Sequence, residues 1–203
     1  PEGSKVTAGN STSLSMLASD TKGSLGMSEF KESEFSDYQG KGYSVAVLDT
    51  GIDLNHPAFG PDNNGDGVSD RILYSQDFSS DRDGTADDVD GHGSNVASIV
   101  GSSHQDYLGV APEAGIIGLQ VLSNSGTGRG SDIESGLQWV IENANNYNIV
   151  AVNMSLGGSD NHNQHRDSFY HDELTVLKDM GIITLVAAGN DYYGWQALGP
   201  YEA

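Results

Sequence analysis

The chain has 203 residues, 36% of them hydrophobic, with 27 glycines and 8% aromatics, and nine basic against 29 acidic residues leave a formal charge of −20. That length holds one substantial core, and the composition suits a Gly-rich α/β or loop-rich globule rather than a disordered chain. Charge of this sign repels phosphate backbones and anionic lipid surfaces, so no nucleic acid and no membrane is expected as a partner; the lack of cysteine excludes a disulfide framework, a thiolate zinc site and a Cys nucleophile.

Residues 1–42 are polar and rich in Ser, Gly, Lys and Glu, and read as an N-terminal arm over the surface with a short helix near Ser28–Phe35. From residue 43 to 203 the pattern changes to alternating strands and helices. Ser44–Leu48 is an apolar run closed by Asp49-Thr50-Gly51, which predicts a strand. An acidic stretch follows, with nine Asp and two Arg from Asp62 to Asp90, and then a helix from about His92 to Val100. Ile116–Leu122 is the next strand. Ser131–Asn143 reads as a helix, with Ser131-Asp-Ile-Glu134 as its capping box and Ile133, Leu137, Val140 and Ile141 on one stripe. Ile149–Met154 is a strand, Asp172–Met180 a helix stopped by Gly181, and Ile182–Ala187 a last strand. All four strands are expected to be buried on both faces. Such alternation implies right-handed βαβ units and a mostly parallel sheet.

In such sheets reacting groups gather at the carboxyl ends of the strands. Asp49 and Ser155 follow directly on a predicted strand and Asn190 stands just past the end of another, so all three are expected at that edge. Alone, Asp49 reads equally as a turn residue capping its own backbone, and His92 as an exposed histidine at a helix start. Together they offer more: a buried carboxylate can fix an imidazole in one tautomer and stabilise the imidazolium, giving a base that activates a hydroxyl. Gly91 and Gly93 around His92 would let a substrate backbone come close. An amide such as Asn190 donates a hydrogen bond without a proton equilibrium, as the developing oxyanion of acyl transfer requires.

In family order, five segments resemble the subtilisin family of serine endopeptidases over roughly residues 39–191. Gly40 to Pro57 is similar to the Asp block, with Asp49 as triad acid, and Asp90-Gly-His-Gly-Ser-Asn-Val-Ala97 to the His block, with His92 as base. Gly109-Val-Ala-Pro-Glu-Ala114 resembles the segment leading to the substrate-binding strand. Gly126, Thr127 and Gly128 match the strand that pairs with substrate backbone, and Ser155, Leu156 and Gly157 one wall of the specificity pocket. Ala187, Ala188 and Gly189 with Asn190 match the pocket base and the oxyanion donor. The resemblance implies a subtilisin-like three-layer α/β fold, incomplete here, with a mostly parallel central sheet and helices on both faces. It also implies a secreted or extracellular endopeptidase acting on extended polypeptide through an Asp-His-Ser triad. Two departures stand out: Asn95 where the family usually has His, and Asp191-Tyr-Tyr-Gly194 after the oxyanion Asn.

The family's nucleophile lies in a Gly-Thr-Ser block well downstream of that Asn, and Ser155 belongs to the pocket wall. The expectation is therefore a partial catalytic domain, inactive by itself, whose partner is the C-terminal remainder of the same domain. The other reading is an inactive pseudoprotease or a calcium-dependent binding module. An aspartic peptidase is excluded, since that chemistry needs two Asp-Thr-Gly loops on an all-β fold and only Asp49-Thr50-Gly51 is present.

Asp62-Asn-Asn-Gly-Asp-Gly-Val-Ser-Asp70 has the spacing of a calcium loop. Side chains of Asp62, Asn64, Asp66 and Asp70 with the Val68 carbonyl would wrap one Ca²⁺ in a structural role, Gly67 allowing the sharp turn. Leu73 at the twelfth position excludes an EF-hand. A frequent calcium site of the family does not carry over, because its Asp is Ala58 here and the stretch from Gly101 to Tyr107 is short.

Overall fold

The computed structural model describes residues 5–8, 26–31, 33, 34, 36–158, 170–187 and 189. In chain order these form β1 (Lys5–Ala8), α1 (Met27–Lys31), β2 (Ser44–Asp49), β3 (Ile72–Asp77), α2 (His92–Gly101), β4 (Gly115–Gln120), β5 (Thr127–Arg129), α3 (Gly130–Tyr147), β6 (Ile149–Met154), β7 (Leu156–Gly158), α4 (His171–Asp179) and β8 (Ile183–Val186).

Five strands make one sheet in the order β3-β4-β2-β6-β8, and every neighbouring pair is parallel. β2, near its middle, is coated on both faces. Because side chains alternate along a strand, Ala46 and Leu48 join a core with Ile133, Leu137 and Val140 of α3 and Leu177 of α4. Val47 points the other way, into a second core with Ile52, Phe59 and with Val96 and Ala97 of α2. Helices therefore cover both faces, and the three layers follow from which residues of each strand are odd or even.

α3 is longer than the sequence pattern indicates. It begins at Gly130 and runs to Tyr147, ending where Asn148 takes a left-handed φ of 49°. Its cap also lies earlier than Ser131 and Glu134: the Arg129 N–H donates to the Asp132 carboxylate at 3.2 Å. Asp, shorter than Glu, reaches back one turn from the N3 position, so the helix starts a residue sooner. Trp139 of α3 stacks on Tyr74 of β3 with ring centroids 4.4 Å apart, fixing the outer strand to the helix layer.

β3 carries Ser75, Gln76 and Asp77, and this polar content hides it from a hydrophobic pattern; its edge position makes that tolerable. β8 departs from the expectation in the opposite sense. Ile183, Leu185 and Val186 are 65%, 50% and 56% exposed, because among the described residues β8 pairs only with β6 and has no second neighbour.

A second, small sheet has the order β5-β1-β7 and is antiparallel throughout. Part of the expected surface arm is thus a strand held between two others.

Candidate active site

Asp49 ends β2 and His92 begins α2, and the two meet: His92 Nδ1 lies 2.7 Å from Asp49 Oδ1, with Asp49 wholly buried. The same Oδ1 accepts the Thr50 N–H at 2.8 Å, so the turn cap and the imidazole partner are one atom. Both readings of Asp49 hold at once. The bond at Nδ1 fixes the tautomer and leaves Nε2 as the ring nitrogen free to take a proton.

The hydrogen bond to Asp49 raises the His92 pKa above its ordinary value; burial opposes this, and the charges of Asp49, Asp90 and Asp88 add to it. Burial pushes the Asp49 carboxyl up from the usual carboxylate range, while the bond from His92 pulls it down. Oδ1 thus meets both the Thr50 N–H and the imidazole, as a carboxylate oxygen with two lone pairs can.

Gly93 explains how a helix comes so near the turn. A Cβ on it would lie 2.1 Å from the Gly51 carbonyl oxygen. The glycine thus serves contact between α2 and the β2 turn, where the sequence suggested room for substrate. Gly91 has a φ of 92°, a conformation open to glycine at little cost.

Asp49 is also tied to the small sheet. Its carbonyl accepts the N–H groups of Val121 at 2.9 Å and Leu122 at 3.1 Å, and Leu122 bridges to Gly128 of β5. On this frame Thr127 and Gly128 face Thr7 and Val6 of β1, while Leu156 and Gly157 of β7 face Ala8 and Thr7. Gly126 forms the turn before β5 with a φ of 69°, its N–H donating to Ser123 O at 2.8 Å. Ser155 precedes β7, and its Oγ accepts from Asn153 Nδ2 at 2.9 Å. Gly189 has a φ of 95°. Ala188 and Asn190 lie outside the described residues.

The acidic loop wraps around its first carboxylate. Asp62 accepts the N–H groups of Gly65, Asp66 and Gly67 at 2.7, 3.2 and 2.9 Å. Asn64 donates to Asp66 at 2.9 Å, and Asp66 accepts the Val68 N–H at 2.8 Å. Asp70 turns instead to Asn63, accepting both its backbone N–H and its side chain. Among the described residues no three His, Asp or Glu side chains come together as a group able to hold a metal ion.

One participant escaped the sequence reading. Asp88 accepts hydrogen bonds from Thr50, Gly91 and Ser94, on both sides of the Asp49–His92 pair. An Asp shortly before a helix start is a capping signal, but in so acidic a stretch it did not stand out.

A parallel sheet with helices on both faces, and a carboxylate–imidazole pair at its carboxyl edge, define a subtilisin-like α/β protein. The sequence model of the subtilase family matches residues 40–203, and the chain belongs to that family. It is 32% identical over 174 residues to Subtilisin-like protease 6 of Arthroderma gypseum, covering 82% of this chain and 38% of that protein. It is 33% identical to Subtilisin-like protease 3 of Arthroderma benhamiae, over 79% of this chain and 36% of the relative. Among solved structures, a cold adapted subtilisin-like serine proteinase superposes with a TM-score of 0.53 at 31% identity, covering 76% of this chain and 49% of that one. Sphericase gives 0.57 at 26% identity, with 75% and 47% covered. The chain thus spans less than half the length of each of these proteins.

Proposed function

We propose that the chain is the acid–base and substrate-holding part of a serine endopeptidase. The observation that carries this reading is the 2.7 Å contact between His92 Nδ1 and Asp49 Oδ1 beside a groove that already takes an extended backbone between β5 and β7. A slot bordered by two strand edges binds peptide through main-chain hydrogen bonds, with little demand on side chains, which suits a polypeptide substrate.

In the proposed reaction His92 Nε2 removes the proton from a serine hydroxyl as it attacks the peptide carbonyl. Asp49 stabilises the imidazolium that results, and the proton then passes to the leaving amine. Asn190 is assigned the oxyanion and Ser155, Leu156, Gly157, Ala188 and Gly189 the pocket. Ser155 is not assigned the attack, its Oγ being held by Asn153. The nucleophile is assigned to a segment of the complete protein beyond residues 1–203, which would make these residues inactive by themselves and that segment their partner. Residues 1–42 are read as an arm whose β1 fills the groove. Secretion is part of the proposal, as the resemblance to the family implies.

The loop at residues 62–70 is proposed to hold one structural Ca²⁺ through Asp62, Asn64, Asp66, the Val68 carbonyl and Asp70. The donor set is all oxygen, as a hard cation requires, and Asn64 and Asp66 already touch, at 2.9 Å, on the loop that folds back on Asp62.

A fluorophosphonate probe tests the function. It should label one serine of the complete protein beyond Ala203, and His92→Ala should abolish both labelling and hydrolysis of denatured protein. Labelling at Ser155, or full labelling of the His92→Ala variant, would overturn the assignment.

A further inference from the structure

The first turn of α2 has four amide groups with no partner inside the helix, as every helix start does, and its N-cap, Gly91, has no side chain to offer. All four are nonetheless satisfied from outside. Gly91 N–H donates to Asp88 Oδ1 at 2.9 Å, His92 N–H to Asp90 Oδ1 at 3.2 Å, Gly93 N–H to Thr50 Oγ1 at 2.9 Å and Ser94 N–H to Asp88 Oδ2 at 2.7 Å.

Asp88 is the hub of this arrangement. Its Oδ1 also accepts the Thr50 hydroxyl at 2.9 Å, and its Oδ2 the Ser94 hydroxyl at 2.6 Å. Thr50 in turn donates its N–H to Asp49 Oδ1, and Ser94 Oγ accepts the Asp53 N–H at 2.8 Å. One carboxylate therefore binds the turn that presents Asp49 and the helix end that presents His92. The loop that delivers Asp88 is itself bound to the β2 turn, Ile52 N–H donating to Ala86 O at 2.9 Å.

We propose that Asp88 is a positioning residue for the Asp49–His92 pair, clamping the β2 turn to the first turn of α2 so that His92 Nδ1 stays aimed at Asp49. It touches neither ring nitrogen in the described contacts and acts through Thr50, Gly91 and Ser94. The role rests on the proposed acid–base function of the pair. A carboxylate is the group suited to it, because four donors converge on two oxygens and because negative charge is favourable at a helix N-terminus.

The charged groups around His92 are Asp49, Asp88 and Asp90, so charge and positioning must be separated. The experiment is an NMR titration of the His92 ring in the folded chain, with the Nδ1–H resonance as second readout. Asp88→Asn should shift the His92 titration downward and broaden or remove the Nδ1–H signal. Asp90→Asn removes a charge that also raises the His92 pKa, while its amide oxygen can still accept the His92 N–H, so it should shift the titration but leave the Nδ1–H signal. If Asp88→Asn does not fold, Thr50→Val cuts the arm to the β2 turn at constant charge and should weaken the same resonance, and Ser94→Ala, which keeps the Gly91 and Ser94 N–H bonds to Asp88, should weaken it less. The proposal is overturned if Asp88→Asn melts earlier while the Nδ1–H signal stays as in wild type, if Asp90→Asn weakens that signal as much, or if Thr50→Val leaves it unaltered. These readouts need only the folded chain, so their failure is distinct from absence of peptidase activity.

Discussion

Gly93 rests against Gly51 so closely that a methyl group on Gly93 would stand 2.1 Å from the Gly51 carbonyl oxygen. The obstacle is backbone at the turn that carries Asp49, so no side-chain rotation relieves it. Gly93→Ala should therefore push α2 away from β2, cost about 1–3 kcal/mol of stability as overpacking does, and lengthen the Asp49–His92 contact. Urea unfolding and the His92 Nδ1–H resonance check this; wild-type values for both would mean the helix has room that the geometry denies.

Because the Asp49 bond raises the His92 pKa above its ordinary 6.5, the charged pair favours the fold at low pH. The sign follows from linkage: a group that binds its proton more tightly when folded stabilises fully below its unfolded pKa, and the gain is lost as pH rises through the folded value. Asp49→Asn should move the His92 titration down and remove that part of the pH dependence of stability. In the complete protein, where the base must be neutral, hydrolysis should rise through a pKa above 6.5. A His92 that titrates at or below that value would contradict the pairing.

Arg71 lies half-buried and reaches three carbonyls: Nη1 donates to Ala114 O at 2.9 Å, and Nη2 to Ala58 O at 2.9 Å and to Gly101 O. It joins the turn after β2, the carboxyl end of α2 and the turn before β4, and a cation at a helix C-terminus is favourable. Arg71→Met keeps the stem but strips the donors, so stability should fall by about 2–4 kcal/mol, one to a few charged hydrogen bonds. Unfolding midpoints measure this, and a loss under about 0.5 kcal/mol would show that water replaces the guanidinium freely.

Removal of residues 1–10 should open the groove between β5 and β7, where Thr7 now faces Thr127 and Gly157. A short extended peptide carrying a fluorophore should then bind at least tenfold more tightly, about 1.4 kcal/mol, as read by anisotropy. Equal binding by the whole and shortened chains would show that β1 does not compete for the slot.

Millimolar Ca²⁺ should raise the melting temperature, since binding to the folded state alone adds about 2.7 kcal/mol at 100 times Kd. Chelator should reverse the gain, and Asp62→Asn should abolish it. An unchanged melting curve in metal-free chain with and without Ca²⁺ would remove the ion from the loop at 62–70.

Much of the architecture was legible because it is local. The apolar runs ending at Asp49 and Met154, the stripe of Ile133, Leu137 and Val140, and Gly181 after α4 each record their own burial or turn in neighbouring residues. The Asp and His blocks were legible for the same reason, since each is a short string around one strand end or helix start. Other features depend on residues far apart in the chain. β3 is polar in its second half and is recognised as a strand by its pairing with β4; β8 is apolar yet exposed because no second strand lies beside it among the described residues. β1 is defined by two partners more than a hundred residues away. The Asp88 clamp likewise exists only once the β2 turn and α2 are brought together. Sequence patterns thus determined the apolar strands of the parallel sheet, its helices and the groups that stand at their ends. Only the tertiary structure decided which of those ends meet, because pairing energy arises from contacts that no single stretch of chain contains.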